Sequence, residues 1–427
     1  MIDLADAIGL VEQTASPLPP RRQRLLDAAG RRLTEPVVAD VDSPPWDRAM
    51  MDGFAVRSAD VVDRAADVIE LEVVADLAAG DVTTRPIPAG GCARIMTGAP
   101  IPPCADAVVP VESAVDDTAA AHAGSRVRFR EPRFRVGQHV GVRGAAFRAG
   151  TPVLPAGAIL TPAAIGLAAE AGATHVVAVP RPRVAILSTG SELVPVDAVP
   201  SHGQTRNSNG PMIAAAVAAC GGEPIQLGIA VDRPEAIRAA VMQGLAADVL
   251  VLSGGVSAGD LDLVPAIFAA CGVERVFHKV RLKPGKPVWC GRLDRGPGQP
   301  QTLVFGLPGN PASSLVCFEL FVRPAIAILA GLPRDRWHLP RCRGVLTAAA
   351  KAAADRPVYL PCRITRAGTW LDVTPLPWTG SSDMVGLAVA DGLVALPAGA
   401  KAEPGTDVEV LEFATGAASH RAMYRPA

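Results

Sequence analysis

The pattern of apolar and polar positions changes near residue 181. From Arg183 onward, short apolar runs alternate with stretches of helical periodicity. The pattern predicts strands at 184–187, 225–231, 248–252, 273–276 and 303–305, and helices at 210–220, at 234–245, from 263 and over 311–329. Alternating strands and helices are typical of a mostly parallel sheet with right-handed crossovers. Such sheets bind ligands at the carboxyl ends of their strands.

The chain on either side of this part is patterned differently. Residues 1–35 carry a helical pattern that continues to Gly30, and an extended stretch then ends at a proline pair. Short β-like runs occupy 46–140, which indicates a small β-rich domain. Residues 141–182 form a connector with one helix, and short strands over 340–412 predict a compact β-barrel. The pattern therefore predicts a multidomain α/β plus β protein.

Composition narrows the class of protein. Hydrophobic residues make up 49% and charged residues 19% of the 427, the profile of a soluble globular enzyme with several domains. The formal net charge of -1 argues against a nucleic-acid-binding protein that relies on a basic face. The N-terminus lacks the basic and apolar regions of a signal peptide, and no uninterrupted run of apolar residues predicts a membrane span.

The spacing of the cysteines indicates the cellular compartment of the protein. The eight cysteines are scattered and form no C-x-x-C pair. This spacing indicates neither a zinc site nor a disulfide framework. We expect reduced, mostly buried thiols in a cytoplasmic protein.

The segment Ser253–Asp262 carries the strongest chemical signal. It lies between a predicted strand and a predicted helix, and glycines such as Gly254 and Gly255 let backbone N–H groups face an anion. The segment ends in Asp260 and Asp262, and two carboxylates suit a hard cation bound to a phosphate. A tight turn with an aspartate capping the helix would explain either carboxylate alone. The pair, after three glycines, favours a metal and phosphate site.

Two further segments lie in loops beside predicted strand ends. Lys283 and Lys286 flank a Pro-Gly pair, which indicates either a solvated basic turn or, beside a phosphate site, a second set of anion ligands. Asn310 occupies the N-cap and Pro311 the first position of a predicted helix. The positive end of that helix would face the same edge of the sheet.

Three other polar turns are less specific, and for the two in the β-rich region the spacing alone reveals no mechanism. Glu192 follows the first strand of the α/β part and is either a partner for a cation or a ribose, or an ordinary loop charge. In the β-rich region, Met51–Arg57 and Arg94–Pro100 place charged residues beside apolar ones.

Taken together, these segments resemble the molybdopterin molybdenumtransferase family, the MoeA and gephyrin E-domain proteins. The resemblance runs in order from about residue 5 to residue 412 with similar spacing. It rests on Met51–Arg57, Arg94–Pro100, Ser188–Leu193, Ser253–Asp262, Lys283–Pro287 and Gly306–Pro311, and more loosely on Gly380–Ser382 and Ala390–Leu393.

The resemblance implies an elongated protein of four domains. The implied boundaries are 1–45 with 141–180 for a discontinuous domain I, 46–140 for an inserted β-rich domain II, 181–332 for a mostly parallel α/β domain III of the molybdopterin-binding type, and 333–427 for a C-terminal β-barrel domain IV. The family is homodimeric, with its active cleft between the α/β domain of one subunit and the inserted domain of the other. This arrangement would give the Met51–Arg57 turn a role outside its own domain.

The implied reaction inserts molybdenum from molybdate into adenylated molybdopterin and releases AMP in a step that requires Mg²⁺. The implied catalytic residues are Asp52, Thr97, Asp262, Lys283 and Lys286; the implied substrate contacts are Glu192, Gly254, Gly255, Ser257, Pro308, Asn310, Pro311 and Ser381; and the implied metal ligands are Asp262, Asp260 and Asp232. Other proteins of molybdenum cofactor biosynthesis are further candidate partners, whereas nucleic acids and membranes are not expected.

Two departures from the family pattern bear on activity. A serine usually precedes Ala-Met-Asp-Gly, whereas Ala49 stands at that position, so its hydroxyl is absent. The connector usually carries Arg-Gly-Glu-Asp, whereas this chain has Arg143-Gly144-Ala145-Ala146, so a carboxylate of the cleft is missing. The changes indicate either a paralogue with altered metal binding or reduced activity, or a neighbouring acid that replaces the lost one.

Two other functions stay open on the sequence. A molybdopterin adenylyltransferase consists of a single domain that resembles the α/β part, but the additional domains with matching motifs argue against it. A molybdopterin-binding scaffold with little or no insertase activity is favoured only by the departures at Ala49 and Ala146.

Overall fold

The computed structural model describes residues 1–256, 263–367, 370–400 and 402–413. Contacts between residues divide the chain into two compact units. The first unit contains Met1–Arg21, Gly30–Arg32 and the chain from Ala178 onward, and the second contains Arg22–Ala29 and Leu33–Val177. The central sheet and the C-terminal barrel therefore belong to one unit and the β-rich region to the other. The four domain boundaries implied by the family resemblance stay a prediction.

A six-stranded sheet forms the centre of the first unit. It consists of β1 (Arg183–Thr189), β2 (Glu223–Ala230), β3 (Val249–Ser253), β4 (Glu274–His278), β5 (Trp289–Leu293) and β6 (Thr302–Leu307). The strand order is β2-β1-β3-β6-β5-β4; β2, β1, β3 and β6 pair in parallel, and β5 is antiparallel to both of its neighbours. The predicted mostly parallel sheet is confirmed. Because β2 and β3 lie on opposite sides of β1, the strand order reverses between β1 and β3, which is where such sheets bind ligands.

Helices cover both faces of the sheet. Along β1, Val184 and Ile186 enter one apolar cluster, while Ala185 and Leu187 enter another. The first cluster includes residues of the helices Leu4–Thr14, Asn209–Ala219 and Pro311–Leu329, and the second includes residues of Pro234–Gly244 and Val264–Ala270. Burial on both faces explains why β3 is an uninterrupted run of Val and Leu up to its last residue.

The helix Pro311–Leu329 confirms the predicted long helix and contains one π-helical segment. It consists of the α-helical Pro311–Cys317, the π-helical Phe318–Val322 and the α-helical Arg323–Leu329. Pro324 has no N–H to donate, so the regular α-helical hydrogen bond cannot form there, and the wider turn lies just before it. Within the described ranges this helix alone is long and apolar enough to cross a membrane, but 89% of its apolar window is buried inside the fold, as expected of a core helix.

The C-terminal part of the first unit is a closed β-barrel, as predicted. Its strands are β7 (Arg341–Leu346), β8 (Val358–Ala367), β9 (Trp370–Pro375), β10 (Gly392–Leu396) and β11 (Asp407–Glu412), with the short helix Val385–Ala388 between β9 and β10. The order is β7-β9-β8-β10-β11, and antiparallel pairing of β11 with β7 closes the barrel. Buried side chains of all five strands, such as Val358 and Val410, fill the interior.

The second unit contains a five-stranded sheet, which confirms the predicted β-rich region. In spatial order its strands are Ala107–Pro110, Gly53–Val56, Gly91–Ile95, Ile69–Leu77 and Arg126–Phe129. Two-strand ladders join Val37–Val38 to Pro152–Leu154 and Arg48–Ala49 to Val140–Gly141, and the unit's α-helix is Pro162–Glu170. Among the described residues the remaining short strands are Arg21–Arg24, His175–Ala178, Leu193–Val194 and Thr205–Arg206. The 3-10 turns there are Leu26–Ala28, Ser58–Asp60, Val62–Arg64, Val111–Ser113, Thr118–Ala120 and Arg334–Arg336.

The helical pattern predicted up to Gly30 is wrong beyond the first helix. The α-helix ends at Thr14, and a strand and a single 3-10 turn, Leu26–Ala28, follow it. Pro17, Pro19 and Pro20 separate the two parts of the pattern, and three prolines in four positions cannot continue an α-helix.

The eight cysteines are free thiols, and four of them are buried. Burial raises the pKa of the Cys92 thiol to about 12, so this sulfur stays protonated at neutral pH. Cys104 is the exposed exception.

Candidate active site

Four turns meet at the carboxyl edge of the central sheet. Gly190 follows β1, Gly254 follows β3 and Pro308 follows β6. The Lys283–Pro287 turn precedes β5, whose first residue, Trp289, pairs with Gly306 near the end of β6. The turn therefore enters at the same edge, and the structure brings together the motifs that the sequence placed at strand ends.

Gly254 makes the close packing of these turns possible. Its N–H donates to the carbonyl oxygen of Leu307 at 3.1 Å, and its φ of +100° is in the region that favours glycine. A Cβ at this position would lie 2.4 Å from the carbonyl oxygen of Thr189. The glycines that the sequence assigned to a phosphate turn are thus also required by the fold.

Gly254→Ala should lower the free energy of unfolding by about 2–4 kcal/mol, because the methyl group meets backbone atoms in a strained conformation. Urea denaturation followed by circular dichroism measures the change. Gly9→Ala is the matched control, since Gly9 lies in the helix Leu4–Thr14 and no described atom lies within 4 Å of its added Cβ. The control should be neutral or stabilising by up to about 1 kcal/mol, and an equal loss in both variants would contradict the assignment.

A cavity of about 840 Å³, here called the lysine cavity, opens between the sheet edge and the barrel. Its lining includes four cationic side chains, and no Asp or Glu occurs among its described lining residues. The four cations are Lys283, Lys286, Lys351 and Arg356. Arg356 Nε donates to Asp355 Oδ1 at 3.2 Å, which offsets part of its charge. The positive charge that the three lysines add, in a chain with a net charge of -1, suits a small oxyanion.

The barrel holds the lysine turn in place. The N–H of Lys283 donates to the carbonyl oxygen of Pro357 at 3.0 Å, and the N–H of Tyr359 donates to the carbonyl oxygen of Lys283 at 2.8 Å. These two bonds bring Arg356 and Lys351 to the lysine cavity. Sequence reasoning missed both cations, since no motif surrounds them.

A second cavity of about 890 Å³, here called the glycine cavity, lies beside the first. Its lining contains Gly254 and Gly255 from the turn after β3, and the carboxylates Glu192 and Asp232 from the turns after β1 and β2. The two cavities share the lining residues Pro287, Pro308 and Asn310. One ligand can therefore extend from one cavity into the other.

Asn310 and Ser381 connect the sheet edge to a barrel loop. The sequence placed Asn310 at the N-cap, and the helix does begin at Pro311, but the Asn310 side chain makes no capping bond. Instead its Nδ2 donates to Ser381 Oγ at 2.7 Å, and the N–H of Ala312 donates to the Ser381 carbonyl oxygen at 3.1 Å. The helix start is thereby capped by the barrel rather than by Asn310.

Asp383 fixes the loop that carries Ser381. Its carboxylate accepts hydrogen bonds from the N–H and the hydroxyl of Thr379 and from the N–H of Val385, each at 3.0 Å. The backbone bonds from Thr379 and Val385 hold the pKa of Asp383 below its ordinary value. No motif in the sequence points to this residue.

Two of the three predicted metal ligands, Asp260 and Asp262, lie outside the described residues, as does the predicted substrate contact Ser257. Asp232 is described: its Oδ2 accepts from the N–H of Ser191 at 3.0 Å, and its own N–H donates to Ser191 Oγ at 3.1 Å. No group of three potential metal-binding side chains occurs in the part of the chain that the structure describes.

The described carboxylates nevertheless fit a magnesium ion bound through a substrate. Glu192 and Asp232 both line the glycine cavity. Mg²⁺ commonly takes one or two protein carboxylates and completes its coordination with phosphate oxygens and water. The donor set therefore suits an ion that arrives with a phosphorylated ligand.

Asp52 and Thr97, predicted from separate motifs, form a pair in the second unit. The N–H and the hydroxyl of Thr97 both donate to Asp52 Oδ1 at 2.7 Å. The hydroxyl bond, then the backbone bond, holds the pKa of Asp52 below its ordinary value, with a contribution from Arg94. The exposed carboxylate is therefore ionised well below neutral pH.

Thr97→Val should raise the pKa of Asp52 toward its ordinary value, because the variant lacks the hydroxyl that lowers it most. Stability that Asp52 contributes above its unfolded pKa is lost as pH falls through the lower folded pKa, and the variant should lose less of it. A carboxyl ¹³C NMR titration from about pH 2 to pH 7 measures the pKa of Asp52 in the wild-type protein and in the variant. Asp383 is the internal reference, and an unchanged Asp52 titration would contradict the assignment.

The two departures from the family pattern occupy different environments. Ala49 is buried and its backbone bonds hold the Thr97 turn: its N–H donates to Ala99 and its carbonyl oxygen accepts from Gly98. Ala146 is exposed, and two carboxylates from an earlier part of the chain are bonded to Arg143 on its loop. Asp42 Oδ2 accepts from Arg143 Nε at 2.6 Å, and Asp47 Oδ1 accepts from the Arg143 N–H at 2.7 Å. The structure thus places two acids beside this loop, and both are bonded to Arg143.

Models of three family regions match consecutive parts of the chain. They are the MoeA N-terminal region (domain I and II) over residues 2–172, the probable molybdopterin binding domain over 185–328 and the MoeA C-terminal region (domain IV) over 343–413. A molybdopterin molybdenumtransferase from Bacillus subtilis is 34% identical over 397 residues, covering 91% of this chain and 88% of that protein. The chain belongs to the MoeA family.

Other members of the MoeA family match over nearly the whole length. A molybdopterin molybdenumtransferase from Staphylococcus aureus is 30% identical over 430 residues, covering 99% of this chain and 98% of that protein. The crystal structure of a molybdopterin biosynthesis MoeA protein from Pyrococcus horikoshii has a TM-score of 0.74 at 27% identity, covering 96% of this chain and 99% of that one. The resemblance stated from the sequence motifs is confirmed.

Proposed function

We propose that this chain inserts molybdenum from molybdate into adenylated molybdopterin, with release of AMP and a requirement for Mg²⁺. As a MoeA protein it is an enzyme of molybdenum cofactor biosynthesis, a molybdopterin molybdenumtransferase. The proposal includes a homodimer in the cytoplasm, with other proteins of the same pathway as candidate partners.

The lysine cavity beside the glycine cavity is the observation that carries this proposal. Molybdate and phosphate are tetrahedral oxyanions, and Lys283, Lys286, Lys351 and Arg356 supply the positive charge that either requires. The glycine cavity has the volume for a nucleotide-sized group. Shared lining residues at Pro308 and Asn310 allow an oxyanion in one cavity to approach a ligand held in the other.

In this proposal the chain's own residues orient the reactants. Lys283 and Lys286 bind the oxyanion and offset its charge as it approaches the pterin. Ser381 and Asn310, joined by a hydrogen bond, fix the wall between the cavities. In the turn after β3 the N–H of Gly254 is already bonded to Leu307, so the N–H of Gly255 is the group proposed to face the phosphate of the substrate.

Metal binding belongs to the proposal as well. The proposed ligands are Asp262 first, then Asp260 and Asp232, with Glu192 at the same cavity. A bound Mg²⁺ would withdraw charge from the phosphoanhydride as it is cleaved. Asp232 already receives the N–H of Ser191, so its free oxygen is the one available to a cation.

Asp52 and Thr97 complete the proposed site from the second subunit of a dimer. Their hydrogen-bonded pair gives an exposed, ionised carboxylate. Within its own sheet this carboxylate has no structural partner beyond the Thr97 turn and the charge of Arg94. In a site shared between subunits, the Asp52 carboxylate would contact the bound substrate.

The experiment that tests the proposal mixes purified protein with adenylated molybdopterin, molybdate and Mg²⁺, and follows AMP release together with reconstitution of an apo-molybdoenzyme. Mg²⁺-dependent AMP release with reconstitution supports the insertase. ATP-dependent adenylation of free molybdopterin would instead identify an adenylyltransferase. Pterin binding without either reaction would identify a scaffold, the function that the departures at Ala49 and Ala146 favour.

A further inference from the structure

Two buried polar side chains lie on one face of the helix Pro311–Leu329, in its first α-helical segment. They are Ser314 and Cys317, both 0% exposed. Residues three positions apart are neighbours on a helix surface. A buried polar group is costly to the fold unless it makes a hydrogen bond, so the partners of these two side chains decide their role.

Cys317 packs against the lysine turn, Lys283–Pro287. Its Sγ donates to the carbonyl oxygen of Gly285 at 3.6 Å. A Cβ at Gly285 would lie 2.5 Å from that sulfur, so the sulfur is in direct contact with the backbone of the turn. Burial raises the pKa of the Cys317 thiol, and the sulfur therefore keeps at neutral pH the proton that it donates.

Ser314 makes the corresponding contact with the turn after β6. Its Oγ donates to the carbonyl oxygen of Pro308 at 2.5 Å, and the bond is buried. Pro308 lines both the lysine cavity and the glycine cavity. One helix face therefore bonds to two turns of the candidate site, the lysine turn through Gly285 and the shared wall of the cavities through Pro308.

Backbone bonds also hold the lysine turn. Besides its two bonds to the barrel, the N–H of Val280 donates to the carbonyl oxygen of Lys286 at 3.0 Å, and the N–H of Val288 donates to that of Gly285 at 3.1 Å. These bonds do not depend on the Cys317 side chain, so a variant without the thiol should keep the turn. It should lose the contact that fixes the middle of the turn against the helix.

We propose that Ser314 and Cys317 are positioning residues, which hold the turn after β6 and the lysine turn at a fixed separation by donating hydrogen bonds to their carbonyl oxygens. The inference rests on the proposed function in taking molybdate as the ligand of the lysine cavity. Neither side chain is among the described lining residues of the two cavities, so both act through the turns that are. Cys317 acts on Lys283 and Lys286, which line the lysine cavity alone, whereas Ser314 acts on Pro308, which lines both cavities.

Binding of molybdate alone and of AMP alone, measured by calorimetry, tests the inference without turnover. Cys317→Ala should raise Kd for molybdate about tenfold and leave Kd for AMP within about twofold, because only the lysine turn loses its support. Ser314→Ala should raise both Kd values, since the wall that it supports is shared. Cys317→Ser keeps a donor at this position and should retain most of the affinity for molybdate.

Cys290→Ala is the matched control for the loss of a buried thiol. Cys290, on β5, belongs to the same apolar cluster as Cys317 and is 1% exposed. It is not among the described lining residues of either cavity. The control should therefore leave both Kd values unchanged, and urea denaturation of every variant shows which changes in Kd follow a change in stability.

A purely structural role for Cys317 predicts a different pattern. Cys317→Ala and Cys290→Ala would then alter binding alike, or Cys317→Ala would weaken molybdate and AMP together, and either result would overturn the inference. It would also be overturned by a wild-type protein that does not bind molybdate, or by a Cys317→Ser variant no better than Cys317→Ala. Because no reaction is followed, failure of the insertase assay leaves this test intact, and an active insertase whose affinity for molybdate is unchanged in Cys317→Ala refutes the inference alone.

Discussion

Replacing Lys283 and Lys286 together by alanine should lower kcat/KM for molybdate about 100-fold, mainly through a higher KM. The double variant removes two of the four cations of the lysine cavity and leaves Lys351 and Arg356. Charge-assisted hydrogen bonds to a bound anion contribute about 1.5–3 kcal/mol each, and less for exposed side chains such as these, so about 3 kcal/mol for the pair is expected. The measurement is AMP release at increasing molybdate concentration.

Two controls separate loss of charge from loss of structure. The doubly substituted Lys283→Arg, Lys286→Arg protein keeps the charge and should lose less activity than the alanine variant. Arg343→Ala removes a cation from the barrel surface, where its side chain is 76% exposed, and should leave KM for molybdate unchanged. An unchanged KM in the double alanine variant would show that the lysine cavity does not hold molybdate.

The central sheet was predictable because its buried strands consist largely of consecutive apolar residues. β3 is a run of Val and Leu, as expected of a strand covered on both faces. β5 was not predicted, since Trp289–Leu293 contains Gly291 and Arg292, which disfavour a strand assignment. A Cβ at Gly291 would lie 2.3 Å from the Trp289 ring, so the glycine is required by packing that no local pattern reveals.

The candidate site was predictable where glycine, proline and charge coincide at strand ends, and not where distant segments meet. Lys351 and Arg356 lie in a segment without periodicity and reach the lysine cavity only because Pro357 pairs with Lys283. Asn310 was correctly placed at a helix start, but its side chain binds Ser381, 71 residues further along the chain. No pattern in the local sequence indicates long-range contacts of this kind. The roles of Asp260 and Asp262 stay a prediction.

Mixing two impaired variants should restore activity, measured at a molybdate concentration below the wild-type KM, if the proposed site is shared between subunits. Asp52→Ala removes the carboxylate of the second unit, and the double Lys283→Ala, Lys286→Ala variant removes the cations of the first. In a mixed dimer, one site combines intact lysines with an intact Asp52, while the other lacks both. Random association at equal concentrations gives half mixed dimers with one intact site each, so about a quarter of the wild-type specific activity is expected.

A matched mixture tests whether the recovery has this origin. Asp52→Ala mixed with Thr97→Ala should restore nothing, because both residues come from the same unit and every site in the mixed dimer then lacks one of them. Native mass spectrometry confirms that mixed dimers have formed. If mixed dimers of Asp52→Ala and the lysine variant form without regaining activity, Asp52 acts within its own subunit or in no site. Recovery in the first mixture alone would place the Asp52–Thr97 pair opposite the partner's lysine cavity.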